Sequence, residues 1–337
     1  MFLVCGSIRL PAQPPLRFMT YNVENLFDTK PDSGKMDTEF LPESPRHWTP
    51  WRYWRKLNRL AQTIVAVGNG YPPAFVALCE VENDSVLHDL TCRSSLRAVG
   101  YRYVMTDSPD RRGIDVALLW QPERFRRLSS YGIRIPSAEN GFKPTRDILY
   151  VKGQLVTGDT LHILVCHLPS RAGGIRSAQE HRRLALSMVR RTVDSLSVLH
   201  PDALVLVAGD LNSYPDEKIL RETLSVSYGK TRKPSGHCIL HSLTTRQTRG
   251  LNATRGTYRY QGEWSCLDHI LVSPALYEGR GTYRASRERT TIADFPFLLE
   301  PNITHGGLQP FRTYRGPAYH DGYSDHLPLY TDLFNPK

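Results

Sequence analysis

Apolar residues along this chain fall into short unbroken runs that end abruptly in acids, amides or histidines. "LRFMTYN" (16–22), "AFVALCEVE" (74–82), "GIDVALLWQ" (113–121), "DILYVKGQLV" (147–156), "TLHILVCHLPS" (160–170) and "DALVLVAGDLN" (202–212) have strand length. Runs of this length bounded by turn formers predict strands buried on both faces. "SCLDHILVS" (265–273) and "YSDHLPLYTDLF" (323–334) extend the series. Helical spacing appears at Leu57, Leu60, Ile64 and Val65 within 51–68, stopped by Gly68, and again over the basic amphipathic stretch 177–199. A shorter helix is predicted at 216–224, and turn-rich loops at 28–50 and 129–145. No repeat or low-complexity linker divides the chain. Many strands with a few long helices predict an α+β fold with two sheets packed face to face and helices outside, as a single domain over 16–337.

The polar strand ends carry the chemistry. Asn22 and Glu24 close the first run, Glu80 the second, His167 the "ILVCH" run, and Asp210 with Asn212 the "VLVAGD" run; Asp268 opens "DHILV", and Asp325 with His326 precedes "LPLY". Asp210 and Asn212 are two apart and so project from one side of an extended backbone. Taken alone they suit a turn as well as a polar claw, since Asn212, Ser213 and Pro215 are turn residues. Six strand ends bearing only acids, amides and imidazoles suggest one shared pocket. Carboxylates with an amide carbonyl are hard oxygen ligands, suited to Mg2+ or Mn2+ more than to zinc. Metal-assisted hydrolysis of a phosphate ester is the chemistry that fits, with a carboxylate to activate water and imidazoles to hold developing charge.

"MTYNVENLFD", "ALCEVEN", "CHLPSRAGG", "GDLNSYPDE", "LDHILV" and "YSDHLPLY", in this order, resemble the endonuclease/exonuclease/phosphatase superfamily over roughly 16–334. The resemblance implies a four-layer α/β/β/α sandwich of two mixed sheets, as in pancreatic deoxyribonuclease, with the active site at one end. It makes Glu80 the principal metal ligand, with Asn22 beside it and Asp325 near the ion; Glu24 is a further candidate through its longer arm. It makes Asp210 the residue that activates the attacking water, aided by Asn212. His326 would contact the scissile phosphate with Asp268 orienting it, and His167 would be the second histidine. Arg146 stands where a phosphate-binding arginine is expected, and Asp115 where it would orient His167. Ser170 and Arg171, next to His167, are candidates for a substrate phosphate. The segment between Asp268 and Asp325 is long enough to form a lid. Tyr258, Tyr260 and Trp264 read as edge-strand packing, and Glu82 as a structural or solvated acid.

Composition adjusts this picture in three ways. A net charge of +10 favours acidic partners, so nucleic acid is the preferred phosphate-ester substrate; inositol phosphates, sphingomyelin and other small esters are the alternative. The six cysteines show no C-x-x-C spacing, which argues against a zinc site or a disulfide scaffold. No run reaches the roughly 20 apolar residues of a membrane span. Residues 1–15 read as a leader or the remnant of an export signal and are expected to be disordered, which tilts localisation towards the periplasm or secretion. A monomer is expected.

Overall fold

The structure is a computed structural model and describes residues 15–171, 175–228 and 238–336. The leader expected at 1–15 therefore lies, apart from Pro15, outside the described residues. One sheet contains β1 (Leu16–Leu26), β2 (Phe75–Val81), β3 (Arg102–Met105), β4 (Asp115–Trp120), β14 (Thr290–Ile292) and β19 (Leu329–Leu333), in the order β14-β19-β1-β2-β4-β3. The other contains β5 (Phe125–Ile133), β6 (Ile148–Leu155), β7 (Thr160–His167), β8 (Leu204–Asp210), β9 (Val226–Ser227), β10 (Leu240–Ser242) and β13 (Asp268–Val272), in the order β5-β6-β7-β8-β13-β10-β9. Three hairpins complete the strands: β11 (Tyr258–Tyr260) with β12 (Glu263–Ser265), β15 (Leu299–Pro301) with β16 (Leu308–Pro310), and β17 (Tyr314–Arg315) with β18 (Ala318–Tyr319). The helices are α1 (Pro50–Gly68), α2 (Asp84–His88), α3 (Ile175–Leu199), α4 (Lys218–Leu224) and α5 (Pro274–Glu278).

Both sheets are mixed. The parallel pairs β1/β2 and β7/β8 are bridged by the two long helices, α1 and α3, because a parallel crossover has to return over a sheet face. Alternation then sorts side chains into layers. Phe18, Ala77, Cys79 and Leu118 meet Ile163, Val165, Leu206, Ala208 and Ile270 between the sheets. Met19, Tyr21, Val76 and Leu78 take Leu57, Leu60 and Ile64 of α1 on one outer face. Leu164, Cys166, Val205 and Val207 take Leu186, Val189 and Val193 of α3 on the other. This is the four-layer α/β/β/α sandwich expected. α1 is capped by the Thr49 side chain at its start and by Asn69 in the left-handed region at its end.

Residues 129–133 are strand rather than loop: they belong to β5, whose exposed edge carries polar side chains and so lacks an apolar signature. The segment between Asp268 and Asp325 is built into the body rather than hinged over it. β14 adds to the first sheet, Arg55 and Arg59 of α1 pair with Asp321, and buried Lys56 donates to the carbonyls of Glu24 and Tyr323 and to Thr313 Oγ1. Among the described residues all cysteines are free.

Candidate active site

Continuing the inward-facing positions past the apolar core leads directly to the polar residues. Leu206 and Ala208 of β8 are followed on that face by Asp210, Ile163 and Val165 of β7 by His167, and Ile270 of β13 is preceded by Asp268. Register does the rest. His167 pairs with Asp210 across β7/β8, and Asp268 with Asp210 across β13/β8, so three neighbouring strands present the three side chains in a row. Gly209 permits the close approach: its φ is +129°, and a Cβ there would lie 1.9 Å from the Cys166 carbonyl oxygen.

The opposite sheet contributes Asn22 from β1 and Glu80 from β2. Strict alternation after Cys79 would turn Glu80 towards the outer layer. Instead the β2 register with β4 shifts between Cys79 and Val81, and Glu80 adopts a φ of +68°. Such a bulge re-aims one side chain. Its carboxylate accepts from the Asn22 amide at 3.2 Å and from the Asn25 backbone N–H at 2.9 Å. Glu24 and Asn25 in β1 and Asn212 after β8 also have positive φ, a concentration of unfavourable backbone geometry around one centre.

Asp210 Oδ2 is the focus. The Asn22 amide donates to it at 3.2 Å, and Nε2 of His167 and Nε2 of His326 each lie 3.8 Å away. The 3.8 Å separations exceed a hydrogen bond, which leaves the imidazoles available to an oxygen between them. Oδ1 accepts from the Asn212 backbone N–H at 2.9 Å, while the Asn212 side chain donates to the Leu168 carbonyl. Burial, aided by Asp268 and opposed by His326, raises the Asp210 carboxyl to about 7. His326 Nδ1 bonds Asp268 Oδ2 at 2.8 Å. Burial works against its charged form, but Asp268, Asp210 and Asp325 prevail and lift it to about 10. His167 goes the other way: burial, with Arg146, Arg112 and His326 nearby, holds it well below the usual histidine value. At neutral pH the site therefore carries one charged and one neutral imidazole facing the same carboxylate.

The remaining predicted residues divide. Glu24 does not join Glu80. Its carboxylate accepts from the Thr313 backbone N–H at 2.7 Å and from Arg312 Nε at 3.4 Å, and burial, with Asp325 adding repulsion, raises it to about 6. Arg312 also binds Asp325 at 3.1 Å, so both acids are held by an arginine from the long segment. Arg146 is fully packed beneath the strand ends. It donates to the carbonyls of His167 and Leu168 and to Asp110, and so braces the His167 backbone instead of presenting a surface to a phosphate. Asp115 bonds Thr106 and the Ser108 N–H, not His167, whose Nδ1 is buried without a partner among the described residues. Ser170 is exposed, and Arg171 pairs with Glu217 at 3.2 Å and stacks on Tyr214. Two residues at the site escaped the sequence reading. Tyr258 of β11 lies with its ring 4.9 Å from His326, and Arg312 reaches Asp325; neither has a local spacing signal linking it to its partner.

A divalent ion suits this donor set. Among the described residues no group of three or more His, Cys, Asp or Glu side chains forms a metal cage. Mg2+, however, keeps most of its waters and needs only one or two carboxylates. The Glu80 carboxylate, partly open and steadied by Asn22 and Asn25, offers that anchor beside Asp210.

Two sheets whose strand ends converge on a paired His–Asp and a buried, partly protonated carboxylate define the class of phosphoester hydrolases with this sandwich. The chain belongs to the Endonuclease/Exonuclease/phosphatase family, whose model matches residues 18–335. No curated protein sequence matches it. Solved structures share the fold. A family protein from Bacteroides thetaiotaomicron aligns with a TM-score of 0.59 at 14% identity over 96% of this chain and 98% of its own. A mannosyl-6-phosphatase from Bacteroides thetaiotaomicron VPI-5482 aligns at 0.58 and 14% over 94% and 99%. The human Nocturnin catalytic domain with bound sulfate aligns at 0.54 and 18% over 95% and 94%.

Proposed function

We propose that this protein is a Mg2+- or Mn2+-dependent phosphodiesterase that cuts nucleic acid by in-line attack of water. The observation that carries the reading is Asp210, set between His167 and Asp268 by register and 3.8 Å from both imidazoles. Water next to Asp210 Oδ2 attacks phosphorus and gives its proton to that carboxylate. The ester P–O bond on the far side breaks, and the departing oxygen regains a proton from solvent. His326, charged and pinned by Asp268, donates Nε2–H to the phosphoryl oxygens as negative charge builds. Neutral His167 donates a second hydrogen bond through Nε2, its tautomer being free to adjust because Nδ1 has no partner among the described residues. A divalent ion held by Glu80 with Asn22 would supply Lewis-acid stabilisation of the phosphoryl group.

The net charge of +10 supports a polyanionic substrate. The mannosyl-6-phosphatase among the structural neighbours supports a second reading, a phosphatase of small phosphorylated substrates. A panel of plasmid, single-stranded DNA, RNA, sphingomyelin and sugar phosphates, each with Mg2+, Mn2+ or chelator, tests the choice. The nuclease reading expects cation-dependent cleavage of nucleic acid whose rate falls steeply with salt. Preferential, salt-insensitive hydrolysis of sugar phosphates would replace it with the second reading.

A further inference from the structure

Beside the loop that follows Asp210 lies a cavity of about 880 Å³, bordered, among the described residues, by Arg221, Arg246, Arg249 and Arg287 and by two acids, Asp216 and Glu288. The arginines are not equivalent. Arg246 pairs with Asp216 at 2.9 Å, and Arg221 stands 4.0 Å from the same carboxylate. Arg249 and Arg287 have no carboxylate within 4 Å among the described residues. Arg249 donates to the carbonyls of Arg246 and Thr248, and Arg287 to those of Ser242 and Ser227. Neutral carbonyls fix the direction of a guanidinium without cancelling its charge, so both remain full cations on a preset wall. The smaller cavity of about 200 Å³ beside Glu24 differs. Its arginines, Arg46 and Arg312, are paired with Glu39 and with Glu24 and Asp325.

The large cavity is tied to the active site by two chain segments. Asp216 is six residues after Asp210, a reach of at most about 20 Å. On the other wall, the chain runs from Gly250 to Tyr258, whose ring touches His326. Two guanidiniums without a carboxylate partner, on a wall within that reach of Asp210, match a ligand whose negative charges repeat along a chain, one phosphate to each arginine. We propose that this cavity is an exosite for backbone phosphates of a nucleic-acid strand whose scissile phosphate lies at Asp210, an inference that rests on the nuclease reading.

The test uses the full chain carrying Arg249→Ala and Arg287→Ala, with Arg249→Lys plus Arg287→Lys as the charge-keeping control and Arg249→Ala alone in case the double variant folds poorly. Binding of a fluorescein-labelled single-stranded DNA oligonucleotide is followed by anisotropy in an Asp210→Asn background across a salt series. Removing two phosphate contacts should weaken binding about tenfold and reduce the log–log salt slope by about 1.4, whereas the lysine control should keep a slope near native. The single variant should show about half that change in slope. Hydrolysis of bis(p-nitrophenyl) phosphate, too small to reach both places, should be unchanged. Equal oligonucleotide affinity and slope in wild type and the alanine variants overturns the exosite, as does an equal loss on the small diester in a folded variant. If the enzyme fails to cut the oligonucleotide yet binding still depends on these arginines, the nuclease reading falls and takes the exosite with it, leaving a nucleic-acid-binding face that serves no cleavage. Cleavage with binding indifferent to them overturns the exosite alone.

Discussion

Asp268→Asn removes the charge that keeps His326 protonated while preserving the shape of the site. In the native protein the His326 Nδ1 to Asp268 Oδ2 bond is 2.8 Å, and the imidazole is lifted from the ordinary 6.5 to about 10 against the opposing effect of burial. A charge-assisted hydrogen bond of this kind contributes roughly 1.5–3 kcal/mol, so its loss should lower kcat/KM by roughly 10- to 150-fold at neutral pH. The pH profile is more telling than the rate. The proposed mechanism requires Asp210 without its proton and His326 with one. Native kcat/KM should therefore rise as pH climbs through about 7, hold, and fall near 10. In Asp268→Asn the upper limb should move down by at least two pH units, narrowing the plateau, with the acid limb shifting little or slightly downward. The assay is hydrolysis of bis(p-nitrophenyl) phosphate from pH 5 to pH 11 at fixed cation concentration. An unmoved alkaline limb with kcat/KM within about threefold of native would refute the role of the pair. Stability carries the same sign. The raised His326 adds stability that is full below pH 6.5 and lost as pH rises through about 10, and this loss should be smaller in the variant.

Other substitutions separate holding the fold from doing chemistry. Glu80→Gln should raise the cation concentration for half-maximal binding by at least about tenfold, read directly from Mn2+ electron paramagnetic resonance as well as from activity; an unchanged titration would end its ligand role. Lys56→Met leaves the Glu24 carboxylate buried beside Asp325 with less positive charge, and should cost about 3 kcal/mol in urea unfolding; no change in midpoint would contradict its bracing role. Arg146→Lys keeps the charge but loses the fork that grips His167, Leu168 and Asp110. It should cost about 2–4 kcal/mol of stability, whereas a phosphate-binding role would raise KM with unfolding unchanged.

The sandwich was legible because its strands are buried on both faces, so each reads as an apolar run with a polar end. Asp210, His167 and Asp268 follow from that pattern, because alternation carries the core face onward to them and register lines them up. Glu80 reached the site for a reason the pattern hides: a bulge with positive φ reverses the side its parity implies. β5 was missed in part because an exposed edge strand needs no apolar alternation. Glu24 and Asp115 were misread because a carboxylate near a motif does not reveal its partner. Those partners, Arg312 and Thr106, come from a distant segment in one case and a neighbouring strand end in the other. Tyr258 resembled packing until the β11 hairpin was seen against His326.

The most direct test of the account is the single-turnover rate of Asp210→Asn on the best substrate of the panel, with thermal unfolding measured in parallel. With Asp210 as the proton acceptor, the rate falls by roughly 10²- to 10⁴-fold while the protein stays folded, since the amide can keep the hydrogen bond from Asn212 but cannot take the proton from water. A folded Asp210→Asn protein that turns over at the native rate would contradict the mechanism.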